Sequence, residues 1–142
     1  MCKISVVMSA YNVEKYVSEA IESVLKQSFS DFEFIIVNDG ATDDTLSIIR
    51  SFKDERIKLI ENKHDFIESL NLGMKAATGK YIARMDADDI MLPRRLEVQF
   101  NYMENNTDID ICGGWSETFG FEKDSILKNP VKHVNIICDL LL

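Results

Sequence analysis

Three short polar clusters carry residue types and spacings that could do chemistry: Ser9-Ala10-Tyr11-Asn12, Asn38-Asp39-Gly40 and Asp86-Ala87-Asp88-Asp89. Residues two apart on an extended segment project the same way, so the carboxylates of Asp86 and Asp88 can face one ion. The small Ala87 between them leaves room for a ligand. Convergent acids suit a hard divalent cation or a ligand rich in hydroxyl and amide donors. A D-x-D spacing is weak by itself in a chain rich in Asp. Asp108-Ile109-Asp110 is a second instance, and it reads as a solvated turn. The Asp86 cluster also fits a helix-capping turn ahead of Pro93, and the local pattern leaves both readings open.

The context of the clusters separates them. Apolar, β-branched runs at residues 4–8, 34–37, 57–60, 81–85 and 109–115 read as strands. Helical spacing of apolar residues predicts helices over 13–27, 65–78 and 93–105, with Gly79 as the stop of the second and Pro93 at the first position of the third. Thr42-Asp43-Asp44 caps a further helix carrying Leu46, Ile49 and Phe52, and residues 131–142 look helical. Strictly alternating strands and helices predict an α/β fold with a largely parallel sheet. In such sheets ligands sit beyond the carboxyl ends of the strands, where strand order reverses. The three clusters follow the first, second and fourth strands, so they should converge on one rim, whereas Asp108-Ile109-Asp110 precedes a strand.

Charge and composition exclude other classes. Sixteen basic and 24 acidic residues give a net charge of −8, which argues against a nucleic-acid binder and against a polybasic membrane anchor. An acidic protein that binds a phosphate-bearing ligand needs a local offset, and a divalent cation is the obvious device. Hydrophobic residues at 46% and charged ones at 28% are the mix of a folded protein, and 142 residues is the size of one domain. No run approaches 18 apolar residues, so no transmembrane segment is expected, and the first residues lack a signal-peptide pattern. Cys2, Cys112 and Cys138 are too scattered for a zinc site or a disulfide framework, which fits a cytoplasmic setting, with the inner face of the membrane as a peripheral alternative. The first turn has no glycine, so neither a dinucleotide fingerprint nor a P-loop is present. No nucleophile elbow or H-E-x-x-H occurs either.

The segments 5–12, 20–29 and 32–40, then Ser69-Leu70-Asn71-Leu72-Gly73 and 76–89, followed by Leu92-Pro93 and Arg95-Leu96-Glu97, resemble the family 2 glycosyltransferases over about residues 3 to 100. The resemblance implies a GT-A (Rossmann-like) fold: a mostly parallel sheet flanked by helices, truncated at the C-terminus. It implies transfer of a sugar from a nucleotide-sugar donor, usually with inversion, to a saccharide or lipid-linked acceptor. Carried over by position, Ser9 and Tyr11 line the nucleoside pocket, with the Tyr11 ring near the base. Asp39 accepts a hydrogen bond from the base, often uracil. Asp86 and Asp88 hold Mg²⁺ or Mn²⁺ on the diphosphate. The chain has Asn38-Asp39-Gly40-Ala41 where the family commonly has Asp-Asp-Gly-Ser, which loosens the choice of base. Asp89 reads as a neighbour of the metal site or a cap. The family's catalytic base is expected beyond residue 142, with the acceptor-binding part. Residues 1–142 then read as the nucleotide-binding part, and an exposed apolar edge would favour self-association. The alternative is a non-catalytic nucleotide-sugar-binding module or inactive fragment. Bacterial surface polysaccharide or glycolipid assembly is the setting the resemblance suggests.

Other polar and aromatic residues read as structural. Arg84 shares a face with Asp86 and suits an ion pair at the rim better than a diphosphate contact. At least one of Arg94 and Arg95 reads as a salt-bridge partner. Asn62 is a weaker candidate for the nucleotide. His64 reads as a solvated loop residue, His133 as a helix-surface residue, and Trp115 as a core or interface aromatic rather than a stacking platform.

Overall fold

Four of the five expected strands form one parallel sheet. The computed structural model describes residues 2–118 and 125–128, and the chain divides into two units, residues 1–105 and 106–142. The first unit runs β1 (Ile4–Ala10), α1 (Val17–Leu25), β2 (Phe32–Asn38), α2 (Thr45–Ser51), β3 (Ile57–Glu61), α3 (Phe66–Ala76), β4 (Tyr81–Asp86) and α4 (Arg95–Asn105). The sheet order is β3-β2-β1-β4, and all three strand pairs are parallel. The chain steps outward from β1 to β3, then returns to place β4 on the other side of β1. Strand order therefore reverses between β1 and β4.

Both faces of β1 and β2 are covered, which explains their nearly unbroken apolar sequences. Ile4, Val6, Met8, Ala10, Phe34 and Ile36 belong to the larger core with Val17, Ile21 and Val24 of α1, Ile49 of α2 and Leu96 of α4. Val7, Ile35 and Val37 face the other way and pack with Ala76 and Ala77 at the end of α3.

One charged residue interrupts the apolar run of β2 near its start. Glu33 is buried. Its Oε1 accepts from the Ser5 hydroxyl (2.6 Å), the Thr78 amide (2.6 Å) and the Thr78 hydroxyl (2.8 Å). Its Oε2 accepts from Lys58 Nζ on β3 at 2.5 Å. Burial alone would raise the Glu33 carboxyl, but the Lys58 ammonium and the Ser5 and Thr78 donors outweigh it and hold the group down at about 2, against the usual 4.5. The same Ser5 hydroxyl accepts from the Gly79 amide at 2.8 Å. Gly79 is therefore not the stop of α3, which ends at Ala76 with Ala77 extended behind it. Its role is close approach: a Cβ at Gly79 would lie 2.6 Å from the Ser5 amide nitrogen.

Several boundaries move for identifiable reasons. α1 starts at Val17, after a turn over residues 14–16. Asp44 precedes α2 without a side-chain cap bond; Asp43 instead accepts from the Thr45 amide and, across the loops, from the Glu14 amide. Asp65 does cap α3, accepting from the Glu68 amide. Pro93 sits in the turn before α4, where its carbonyl accepts from the Ser28 amide. The fifth strand expected over 109–115 is absent: these residues are irregular, and strand pairing in the second unit is antiparallel between β5 (Ser116–Thr118) and β6 (Ser125–Leu127). Gly113 and Gly114 interrupt that apolar run, and glycine weakens a strand. Ile111 is exposed, and Trp115 is exposed rather than a core residue, with Lys128 Nζ 5.3 Å from its ring centre. The expected helix over 131–142, with His133 and Cys138, lies outside the described residues. Among the described residues no helix is long and apolar enough to cross a membrane.

Candidate functional site

The reversal of strand order puts the C-terminal ends of β1 and β4 side by side, with Ser9 opposite Asp86 in register. A cleft of about 190 Å³ opens there, lined by Ser9, Tyr11, Val13, Phe66, Asp86, Ala87 and Asp88. Four residues expected at the site from the sequence, Ser9, Tyr11, Asp86 and Asp88, thus meet on one surface. Val13 and Phe66 were not anticipated. Phe66 opens α3 directly behind its Asp65 cap and is about half exposed. An exposed aromatic at a helix start beside the rim is the sequence signal that would have found it.

Hydrogen bonds between loops hold the cleft walls. Asn12 adopts a left-handed conformation (φ 50°), and its Oδ1 accepts from the Thr42 amide at 2.8 Å. The Val13 amide donates to the buried Thr45 hydroxyl at 2.9 Å. These bonds tie the segment after β1 to the start of α2. On the other wall, buried Gln27 donates to the carbonyls of Met91 and Leu92 and accepts from the Leu96 amide. With the Ser23 hydroxyl, which accepts from the Met91 amide, and the Ser28–Pro93 backbone bond, it fixes the segment between the Asp86–Asp89 turn and α4.

The acids themselves are unevenly served. Arg84, two residues back on the same face, donates to Asp86 Oδ1 at 2.7 Å, so it is the rim ion pair expected from the sequence. The Asp88 side chain is exposed and its carboxylate carries no hydrogen bond among the described residues. The Asp89 amide closes the turn on the Asp86 carbonyl. Its carboxyl is pushed up from the ordinary value, by burial first and then by the charges of Asp86 and Asp88, with Arg95 and Arg84 opposing. Among the described residues no group of three metal-ligating side chains meets. Two carboxylates beside an open cleft nevertheless fit a hard cation that completes its shell with substrate oxygens and water.

Asp39 stands apart from this cleft. Its Oδ1 accepts from the Asp65 amide at 2.7 Å and from the Ser69 hydroxyl at 2.6 Å, fastening the start of α3 to the end of β2. His64 Nδ1 lies 3.3 Å from its Oδ2 and 3.3 Å from its carbonyl oxygen. Asp39 is only 1% exposed as a result. The His64 ring also stacks on Tyr11, centroids 3.8 Å apart and planes 20° from parallel. His64 is thus an exposed loop residue, as its sequence position suggests, that also engages Tyr11 and Asp39. Asn38 pairs with Ala10 and faces the other side of the sheet, buried, its Oδ1 without a partner among the described residues. Asn62 donates to the Ser69 hydroxyl, Arg94 pairs with Glu97, and Arg95 donates to the Arg84 carbonyl, all structural roles.

Comparison with known proteins places this geometry. The family model described as Glycosyl transferase family 2 matches residues 5–135. A Haemophilus influenzae protein named an uncharacterized glycosyltransferase is 40% identical over 98% of this chain and 47% of its own length. The Escherichia coli UDP-Glc:alpha-D-GlcNAc-diphosphoundecaprenol beta-1,3-glucosyltransferase WfgD is 36% identical over 72% of this chain and 43% of its own length. The crystal structure of Staphylococcus aureus TarS 1–349 in complex with UDP-GlcNAc superposes with a TM-score of 0.69 at 28% identity, covering 74% of this chain and 32% of that one. The chain spans about half the length of the curated relatives it matches.

Proposed function

The chain belongs to glycosyl transferase family 2, and from that premise we propose that the cleft between β1 and β4 binds the nucleotide diphosphate of a sugar donor, a UDP-sugar in the first instance. The observation that carries this reading is the meeting of Ser9, Tyr11, Asp86 and Asp88 at the point where strand order reverses. UDP-linked names among the similar proteins favour the choice of nucleotide.

In this reading Tyr11 offers its ring to the base and Asp39 accepts a base N–H. Ser9 and Asp86 flank the ribose and diphosphate side of the cleft. Asp86 and Asp88 hold a divalent cation, Mg²⁺ or Mn²⁺, which neutralises the diphosphate and stabilises charge developing on the departing nucleotide. Arg84 keeps Asp86 oriented through the bond at the rim. Residues 1–142 are, in this reading, the nucleotide-binding part of a GT-A domain. The acceptor hydroxyl, on a saccharide or lipid-linked sugar, gives its proton to a carboxylate acting as general base in the acceptor-binding part as its oxygen bonds to the donor sugar and the nucleoside diphosphate leaves, with inversion.

The test is thermal denaturation with nucleoside diphosphates and Mg²⁺ or Mn²⁺. UDP with the cation should raise Tm, neither alone should do so fully, and Asp88→Ala should abolish the rise. Absence of any cation-dependent shift with every nucleoside diphosphate overturns the reading.

A further inference from the structure

A base that is to reach Asp39 meets an obstacle, because that carboxylate is 1% exposed. One oxygen, Oδ1, is committed to the Asp65 amide and the Ser69 hydroxyl, bonds that anchor α3. The other, Oδ2, lies against His64 Nδ1. The imidazole over it is a planar aromatic ring with a ring nitrogen directed at Asp39 and one face on Tyr11 at 3.8 Å. Those are the two contacts the proposed function assigns to a nucleobase. A base cannot slide between rings at that separation, because stacking on both faces needs about twice that distance. The two partners also differ in exposure: Asp39 is buried and fastened, whereas the His64 side chain is 59% exposed.

We propose that His64 is a built-in occupant of the base subsite, which the donor's base must displace before it can reach Tyr11 and Asp39. The interlocking backbone supports this assignment. Gly40 has φ +72°, and a Cβ there would lie 2.8 Å from the His64 amide nitrogen, so the two loops meet backbone to backbone. The loop can hold that approach while the His64 side chain swings into solvent. Apparent affinity is then the intrinsic affinity reduced by the fraction of molecules in which the ring is out. The competition also selects among ligands. A base that both stacks and donates an N–H replaces what His64 leaves, while one without a donor at that edge replaces only the stacking.

This inference rests on the donor-site reading, and the experiment separates the two. Binding of UDP in the presence of Mg²⁺ is measured by calorimetry for the wild-type chain, His64→Ala and Tyr11→Ala. His64→Ala should bind roughly three- to tenfold more tightly than wild type, as the population-shift relation requires of a site freed from an internal competitor. Tyr11→Ala should bind more weakly than either. In parallel, the His64 ring-proton signals of the wild-type chain should leave the shielding of Tyr11 when UDP saturates the site. Equal or weaker binding by His64→Ala, or ring signals unmoved at saturation, overturns the occupant role and leaves the donor site standing. Binding by His64→Ala alone supports the occupant role in its strongest form. No binding by either chain overturns both.

Discussion

The parallel sheet carries an acidic site at each end, and the two are opposites. At the start of β2, Glu33 is buried and receives Lys58, Ser5 and two donors from Thr78. Its ionised form is so well served that its carboxyl stays near 2. At the other end, Asp86, Asp88 and Asp89 gather within one turn, and the chain supplies Arg84 as the direct partner of Asp86. There Asp89 is pushed up instead of down. An acid with a full set of donors is structural. A group of acids with fewer donors than charge, on an open cleft, is the arrangement the proposed cation site calls for. Similar residue types thus do different work, and the difference lies in what surrounds them.

The comparison can be broken most forcefully at Glu33. Glu33→Ala leaves the buried Ser5 hydroxyl without its acceptor and removes the partner of Lys58 and of the Thr78 donors, and should cost about 3 kcal/mol, read from the urea midpoint. Replacing Asp86 or Asp88 by Ala should cost far less stability, because those side chains are partly or fully exposed.

Acid titration distinguishes the two ends without mutation. The folded Glu33 carboxyl lies below its unfolded value of 4.5, so the unfolded state binds more protons between them. Its contribution is complete above about pH 4.5 and is lost as pH falls towards 2, up to about 3 kcal/mol over that window. Denaturant midpoints of wild type and Glu33→Gln measured across this range should converge as pH falls.

The rim should respond to ligand where the Glu33 site does not. At a hundredfold excess over Kd, UDP with Mg²⁺ should add about 2.7 kcal/mol, a Tm rise of roughly 5–10 °C. Asp88→Ala should remove that rise, while Glu33→Gln should keep it on a lower baseline. The smallest effect belongs to Asp89: its carboxyl is raised in the folded chain, so ionisation opposes folding at neutral pH, and Asp89→Asn should raise the ligand-free Tm slightly, by less than the ligand does.

Much of this was legible in the sequence because it is local. Apolar β-branched runs marked β1 to β4, and polar residues directly behind β1 and β4 marked Ser9, Tyr11, Asp86 and Asp88. What escaped is long-range. Asp39 is tied to Ser69, 30 positions away, so its burial could not be read from its own turn. His64 sits on Tyr11 and Asp39 from another loop, and no periodicity announces that. The expected strand at 109–115 failed because its apolar count outweighed Gly113-Gly114 in the reading, whereas the backbone obeyed the glycines. Glu33 carries a usable signal of its own: a charge inside a continuous apolar strand requires a partner.

The strand order has a consequence for how the site comes into being. Across β1 and β2, Ser5 meets Glu33 from 28 positions away; the link from Ser5 to Gly79, which seats β4, spans 74. Closing the longer loop costs more chain entropy. The pairing of Ser9 with Asp86 lies on the β1–β4 side, the side joined through the longer separation. A ligand bridging β1 and β4 in the proposed site would bind only chains in which β4 is seated beside β1, and would stabilise that pairing by mass action.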